Sequence, residues 1–248
     1  MTLRAPSIAV MVTGAIWLAP RLAVAAPALK LELGDPAGSS PPTAAFHMIA
    51  VLTLLSLAPA LLLATTSFVR FSIVFSFLKT ALGLQAAPPQ QVLTGLALFL
   101  TIAVMSPVGL ALYDEGLGPW LDGKLEAAVA YERGARPLRQ FMLKQTRESD
   151  LALMYEVTRR PRPQAVTDVG LPLLVPAFML SELRTGFEMG FTIMVPFLLV
   201  DLVVAAVLMA LGMVMLPPAM VSLPVKVLLF VLADGWNLLV GSLLRSVA

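Results

Sequence analysis

The chain has 248 residues, of which 58% are hydrophobic and only 13% charged. Soluble domains are nearer one half apolar and about one quarter charged, so this much apolar surface must be hidden by lipid or by a large assembly. A formal net charge of +2 without a dense Lys/Arg run argues against nucleic-acid binding, and the lack of cysteine excludes disulfides, thiolate metal sites and cysteine nucleophiles.

The first residues read as a secretory signal. Arg4 supplies the positive region, Ala5 to Pro20 is mostly apolar, and Ala23-Val24-Ala25 offers the small-x-small pattern of a cleavage site. Cleavage between Ala25 and Ala26 is expected, giving a 1–25 signal peptide. The alternative is an uncleaved anchor, although the apolar run is shorter than the roughly 20 residues a span needs. Residues 26–45 carry Gly34, Asp35, Pro36, Gly38 and Pro41-Pro42 and read as a flexible linker.

Four apolar regions follow, and they predict an all-α integral membrane protein. The first two form a helical hairpin over 46–113. One region runs from Phe46 to Leu78, with no charged side chain over the 22 residues Met48–Val69 and a kink expected at Pro59. The other covers the 22 residues Val92–Tyr113, after the Pro88-Pro89 turn. The last two regions form a second hairpin over 169–248. They run from Leu171 into Leu216 and from Ala219 to Val247, separated by Pro217-Pro218, because proline cannot continue a helix interior.

A polar insert, 114–168, joins the hairpins and holds nine of the 17 basic and nine of the 15 acidic residues. Pro137 is expected in the first turn of an amphipathic helix reaching Val157. A cleaved signal places the insert outside the cell membrane. The positive-inside rule opposes that, but it weakens over so long a loop.

Charges interrupt the apolar regions at Arg70, Lys79, Glu182, Arg184, Glu188, Asp201, Lys226 and Asp234. A charge at the centre of a lone span costs about 2.5–3.5 kcal/mol, so these side chains must face protein, water or a counter-ion. Two readings stay open, an ion relay or pairing between helices or subunits. Small residues recur every four positions at Ser72, Ser76 and Thr80, at Gly186 and Gly190, and at Ala206 and Ala210, a spacing that lets helices approach closely. Met209, Met213 and Met215 gather at the tip of the second hairpin, either as core filler or as an adaptable surface.

Catalytic chemistry finds no support. The one histidine, His47, cannot with no cysteine build the usual zinc site, and nothing around it resembles a nucleophile elbow. Gly118-Pro119-Trp120-Leu121-Asp122-Gly123-Lys124 imitates a phosphate-binding loop, but Leu125 stands where the Mg-binding hydroxyl belongs. No enzyme activity, cofactor or metal is expected.

Several blocks resemble the FliP family of flagellar type III export-gate proteins. They are Thr66-Ser67-Phe68-Val69-Arg70, Pro88-Pro89-Gln90-Gln91-Val92, Pro137-Leu138-Arg139, Ser181-Glu182-Leu183, Pro196-Phe197-Leu198 with Asp201, Pro217-Pro218, and Asp234-Gly235-Trp236. The resemblance runs in one register from about Phe46 to Arg245, with a poor match over Arg159–Gly170. It implies a homopentameric ring with a central pore, assembled with FliQ, FliR and FlhB counterparts in the flagellar basal body of the inner membrane. It further implies passage of unfolded flagellar subunits, and an assembly lying partly on the periplasmic side. Met213 and Met215, with Met209 nearby, fall on a methionine-rich loop that implies a pore gasket, with Val214 where a further Met is common. Glu182 and Lys226 match charges of an inter-subunit salt bridge, and Arg70, Arg184 and Asp201 join the set of charge-pairing candidates. Alternatives are the same role in a virulence injectisome, or a proton-coupled transporter using Asp201 and Glu188.

Overall fold

The computed structural model describes residues 41–84, 87–161, 169–213 and 215–247. The expected signal peptide, the Ala25–Ala26 cleavage site, most of the expected linker and Val214 lie outside these residues. The chain divides into two compact units, Met1–Leu55 and Ser56–Ala248. Of the first, the described part is the start of helix α1 (Pro41–Ala64), an uncharged helix with Phe46, Met48, Ile49 and Leu52 exposed.

In the second unit α1 ends at Ala64, where the Thr65 hydroxyl donates to the Leu61 carbonyl at 2.9 Å, beside the Thr65 backbone N–H at 3.0 Å on the same oxygen. The first apolar region therefore breaks at Thr65–Ser67, while Pro59 stays inside the helix. α2 (Phe68–Ala81) buries Phe71, Val74, Phe75 and Leu78 on one stripe at helical spacing. α3 (Gln90–Leu112) leads through a π-helical turn, Tyr113–Leu117, into the short α4 (Gly118–Leu121).

The insert folds as two helices, not one. α5 (Ala127–Gln145) starts ten residues before Pro137, which sits in its interior. The proline is outweighed by packing. Ala130 and Gly134 lie against Gly116 of the π-helical turn so closely that a Cβ on Gly116 would sit 2.7 Å from the Gly134 Cα. At Thr146 and Arg147 the backbone turns extended, and α6 (Glu148–Thr158) follows.

α7 (Leu171–Ala210) is a single helix of 40 residues, about 60 Å long. α2 packs along it at the two small residues: Gly186 faces Ile73, and Gly190 faces the Phe77 ring. Gly212, at φ +76°, closes α7, and Pro217 and Pro218 open α8 (Pro218–Leu232). The last apolar region then bends by 65° into α9 (Gly235–Arg245). Asp234 takes φ +49° at the bend, a conformation Asp tolerates better than most side chains. Gly235 is required because a Cβ there would lie 2.3 Å from the Phe230 ring.

All regular structure among the described residues is helical. α3 with its extension and α7 are long and apolar enough to cross a membrane, and up to four spans result if each bent helix pair counts as one. Two apolar clusters hold the second unit together. One joins α2, Leu93 and Ala97 of α3, Phe230 of α8, and Leu239 and Leu243 of α9. The other packs Met142 and Tyr155 of the insert on Leu173, Leu174 and Phe178 of α7.

Candidate functional site: three polar stations along the longest helix

The few charges of α7 lie at three levels, each met by a different part of the chain. The first is built on Arg70, from a position of α2 that also faces the core. Arg70 is 2% exposed and Glu182 1%. The Nε of Arg70 donates to Glu182 Oε2 at 3.0 Å and Nη2 donates to Oε1, a bidentate pairing suited to the flat guanidinium. Nη2 also donates to Gln145 Oε1 (3.0 Å) at the end of α5. Nη1 donates to the Ser246 carbonyl (2.7 Å) and to Ser246 Oγ (3.1 Å). Burial of two charges is tolerated here because each is paired and the remaining donors are satisfied.

The second station docks the insert. Arg147 is the N-cap of α6, yet its own side chain caps nothing. Ser181 of α7 takes over: its hydroxyl accepts from the Arg147 backbone N–H at 2.9 Å and donates to Asp150 Oδ2 at 2.6 Å. A capping box joins the N-cap and third helical residue within one strand of chain; here a foreign hydroxyl sits between them. On the exposed side, Arg147 donates to both carboxylate oxygens of Glu188 (3.1 and 2.6 Å), and Arg184 Nε lies 3.4 Å from the same group. The Glu188 carboxylate thereby raises the Arg147 pKa above its usual value.

The third station lies between α7 and α8. Lys226 Nζ donates to Asp201 Oδ2 at 2.5 Å and to the Ala81 carbonyl at 3.0 Å, where α2 ends. The lysine is 7% exposed and the aspartate 38%, so the carboxylate is the face turned toward an open groove of about 890 Å³. Beyond it the hairpin tip displays methionine: Met209 and Met213 are exposed, and Met215 is 97% exposed.

The sequence places this architecture among known proteins. The FliP family profile matches residues 51–243. This chain belongs to the FliP family. It is 50% identical over 233 residues to the flagellar biosynthetic protein FliP of Pectobacterium carotovorum subsp. carotovorum, covering 94% of this chain and 90% of that protein. Against the namesake of Caulobacter vibrioides the identity is 45% over 243 residues, 98% of this chain and 91% of that one. Against that of Bacillus subtilis it is 49% over 199 residues, 80% and 90%. Family membership and the apolar helices make the chain a membrane component of the flagellar export apparatus.

Within this FliP-family chain, Arg70 meets Glu182 and Asp201 meets Lys226, each between two helices of the same chain. Glu182 and Lys226 do not pair with each other here. Arg184 faces Asp150 at 4.0 Å and Glu188 at 3.4 Å on the exposed side. Three residues that complete these stations drew no attention in the sequence as partners: Gln145, Asp150 and Ser246. Each is an ordinary polar residue whose partner lies at least 31 positions away, so no local spacing marks it.

Proposed function

We propose that this chain is one subunit of a homo-oligomeric ring, a pentamer, whose central pore passes unfolded flagellar subunits, and that Met209, Met213 and Met215 form its gasket. The observation that carries the reading is the hairpin tip. Three exposed methionines lie at this tip, Met209 in the last turn of α7 and Met213 and Met215 between Gly212 and the Pro217-Pro218 start of α8. Unbranched thioethers conform to many shapes, as a seal around unrelated unfolded chains requires. The broad apolar surface supports assembly: Leu198, Leu199, Leu202, Val203 and Val207 of α7 are all exposed, as they would be on a subunit awaiting neighbours. FliQ, FliR and FlhB counterparts are the proposed partners, and much of the assembly lies on the periplasmic side of the inner membrane. The chain's similarity to flagellar biosynthetic proteins favours the flagellum over an injectisome.

Replacing Met213 and Met215 by glycine in the assembled complex should make membranes leak small ions. Impermeable membranes with a correctly assembled double variant would refute the gasket. The transporter alternative is separated by Asp201→Asn: lost proton flux with intact assembly would favour it over a passive gate.

A further inference from the structure

Arg70 sits early in the chain, but its partners come 75, 112 and 176 residues later, at Gln145, Glu182 and Ser246. A guanidinium, unlike a carboxylate, cannot shed its charge to enter a dry interior. Its Nη1 has acceptors only at Ser246 among the described residues, and that residue is made after α2, α5 and α7. Gln145 reads the same turn from the insert: its carbonyl accepts from Arg70 and its Nε2 donates to the Val247 carbonyl at 3.0 Å. Val247 itself is buried in the cluster that joins α2 to α9.

We infer that the Arg70 centre is a completion lock, which lets α2, the end of α5 and α7 close on one another only once the Ser246–Val247 turn has been delivered. A chain lacking that turn leaves both Nη1 hydrogens of a buried guanidinium without acceptors, so the site stays open and the insert stays loose. Gln145 is the positioning residue that couples the insert to the turn. The consequence is an all-or-none subunit: incomplete chains do not present a packed surface to their neighbours.

The test is a deletion of Arg245–Ala248, made in the native sequence and in an Arg70→Leu/Glu182→Leu background. Leucine at both positions removes the demand for a late acceptor, and such apolar replacement of a buried pair is often neutral. Limited proteolysis of the purified, detergent-solubilised chain reads the population of the open form. The deletion should raise the cleavage rate in the insert by more than about tenfold in the native background, and by far less in the leucine background. An equal rise in both would overturn the lock, since the turn would then act only through Val247 packing. So would no rise in the native background, or a full-length leucine variant already as open as the truncated native chain. Full-length Gln145→Met should loosen the insert and add little to the deletion; full additivity of the two would equally overturn the coupling role.

Discussion

Ser181→Ala is the sharpest probe of how the insert is held. The side chain is fully buried, and its hydroxyl makes two bonds, one from the Arg147 N–H and one to Asp150. Loss of a capping oxygen costs typically about 1 kcal/mol. The Asp150 carboxylate, left with Ser149 Oγ at 3.4 Å and Arg184 at 4.0 Å, is poorly compensated and adds about 1 kcal/mol more. Together, about 2 kcal/mol corresponds to roughly a 30-fold rise in local opening. Amide hydrogen exchange of the intact protein in detergent should show this over α6, residues 148–158, with little change in α3. In an Asp150→Ala background the same substitution should cost about half as much, because only the N–H acceptor remains to be lost. Unchanged α6 protection, or a uniform loss across all helices, would refute the account of α6 as a helix capped from α7.

Other substitutions follow from the packing and the charge pairs. Gly190→Ala should lower the melting temperature, at a cost of about 1–3 kcal/mol, because the new Cβ would lie 2.6 Å from the Phe77 ring. Gly95→Ala meets nothing within 4 Å inside α3 and should instead stabilise by up to about 1 kcal/mol. Asp201→Leu should cost about 2 kcal/mol or more by stranding the buried Lys226, while Lys226→Met/Asp201→Leu should recover much of the loss in the same melting assay. Glu188→Gln removes only an exposed carboxylate and should leave the melting temperature nearly unchanged, with a smaller difference at high salt.

Long apolar regions bounded by prolines were legible from sequence, because hydropathy and the missing proline N–H act locally. Pro217 and Pro218 do open α8 as read. The local rule failed at Pro137, where the contact of Gly116 with Gly134 extends α5 past the proline. In the first apolar region the helix break falls at Thr65–Ser67, while Pro59 lies inside α1. The bend at Asp234 depends on a phenylalanine ring four residues earlier taking the space of a side chain at 235. The charged positions themselves stood out against the apolar background. Their partners did not, because Arg70 finds Glu182 across 112 residues, and no periodicity encodes that distance.

The charges on α7 also bear on what a helix of this length can be. Its longest stretch without a charged side chain is residues 189–200, about 18 Å of helix against a hydrocarbon core of about 30 Å. Sliding the helix cannot therefore clear Glu188 and Asp201 from the core together. The chain meets the difficulty by pairing: Glu182 with Arg70, Glu188 with Arg147 and Arg184, Asp201 with Lys226. Each carboxylate of α7 is matched by a cation from within the same chain. Apart from Arg184 of α7 itself, the cations come from three separate places, α2, the insert and α8, so the full pairing of α7 exists only within the folded unit. A lone α7 should accordingly insert poorly into a bilayer despite a mean hydropathy of 2.6 over an 18-residue stretch, and insertion should improve when Glu188 and Asp201 are both made leucine. Equal insertion of the native and the leucine helix would mean that the charges are accommodated without their partners, and that pairing serves some other end.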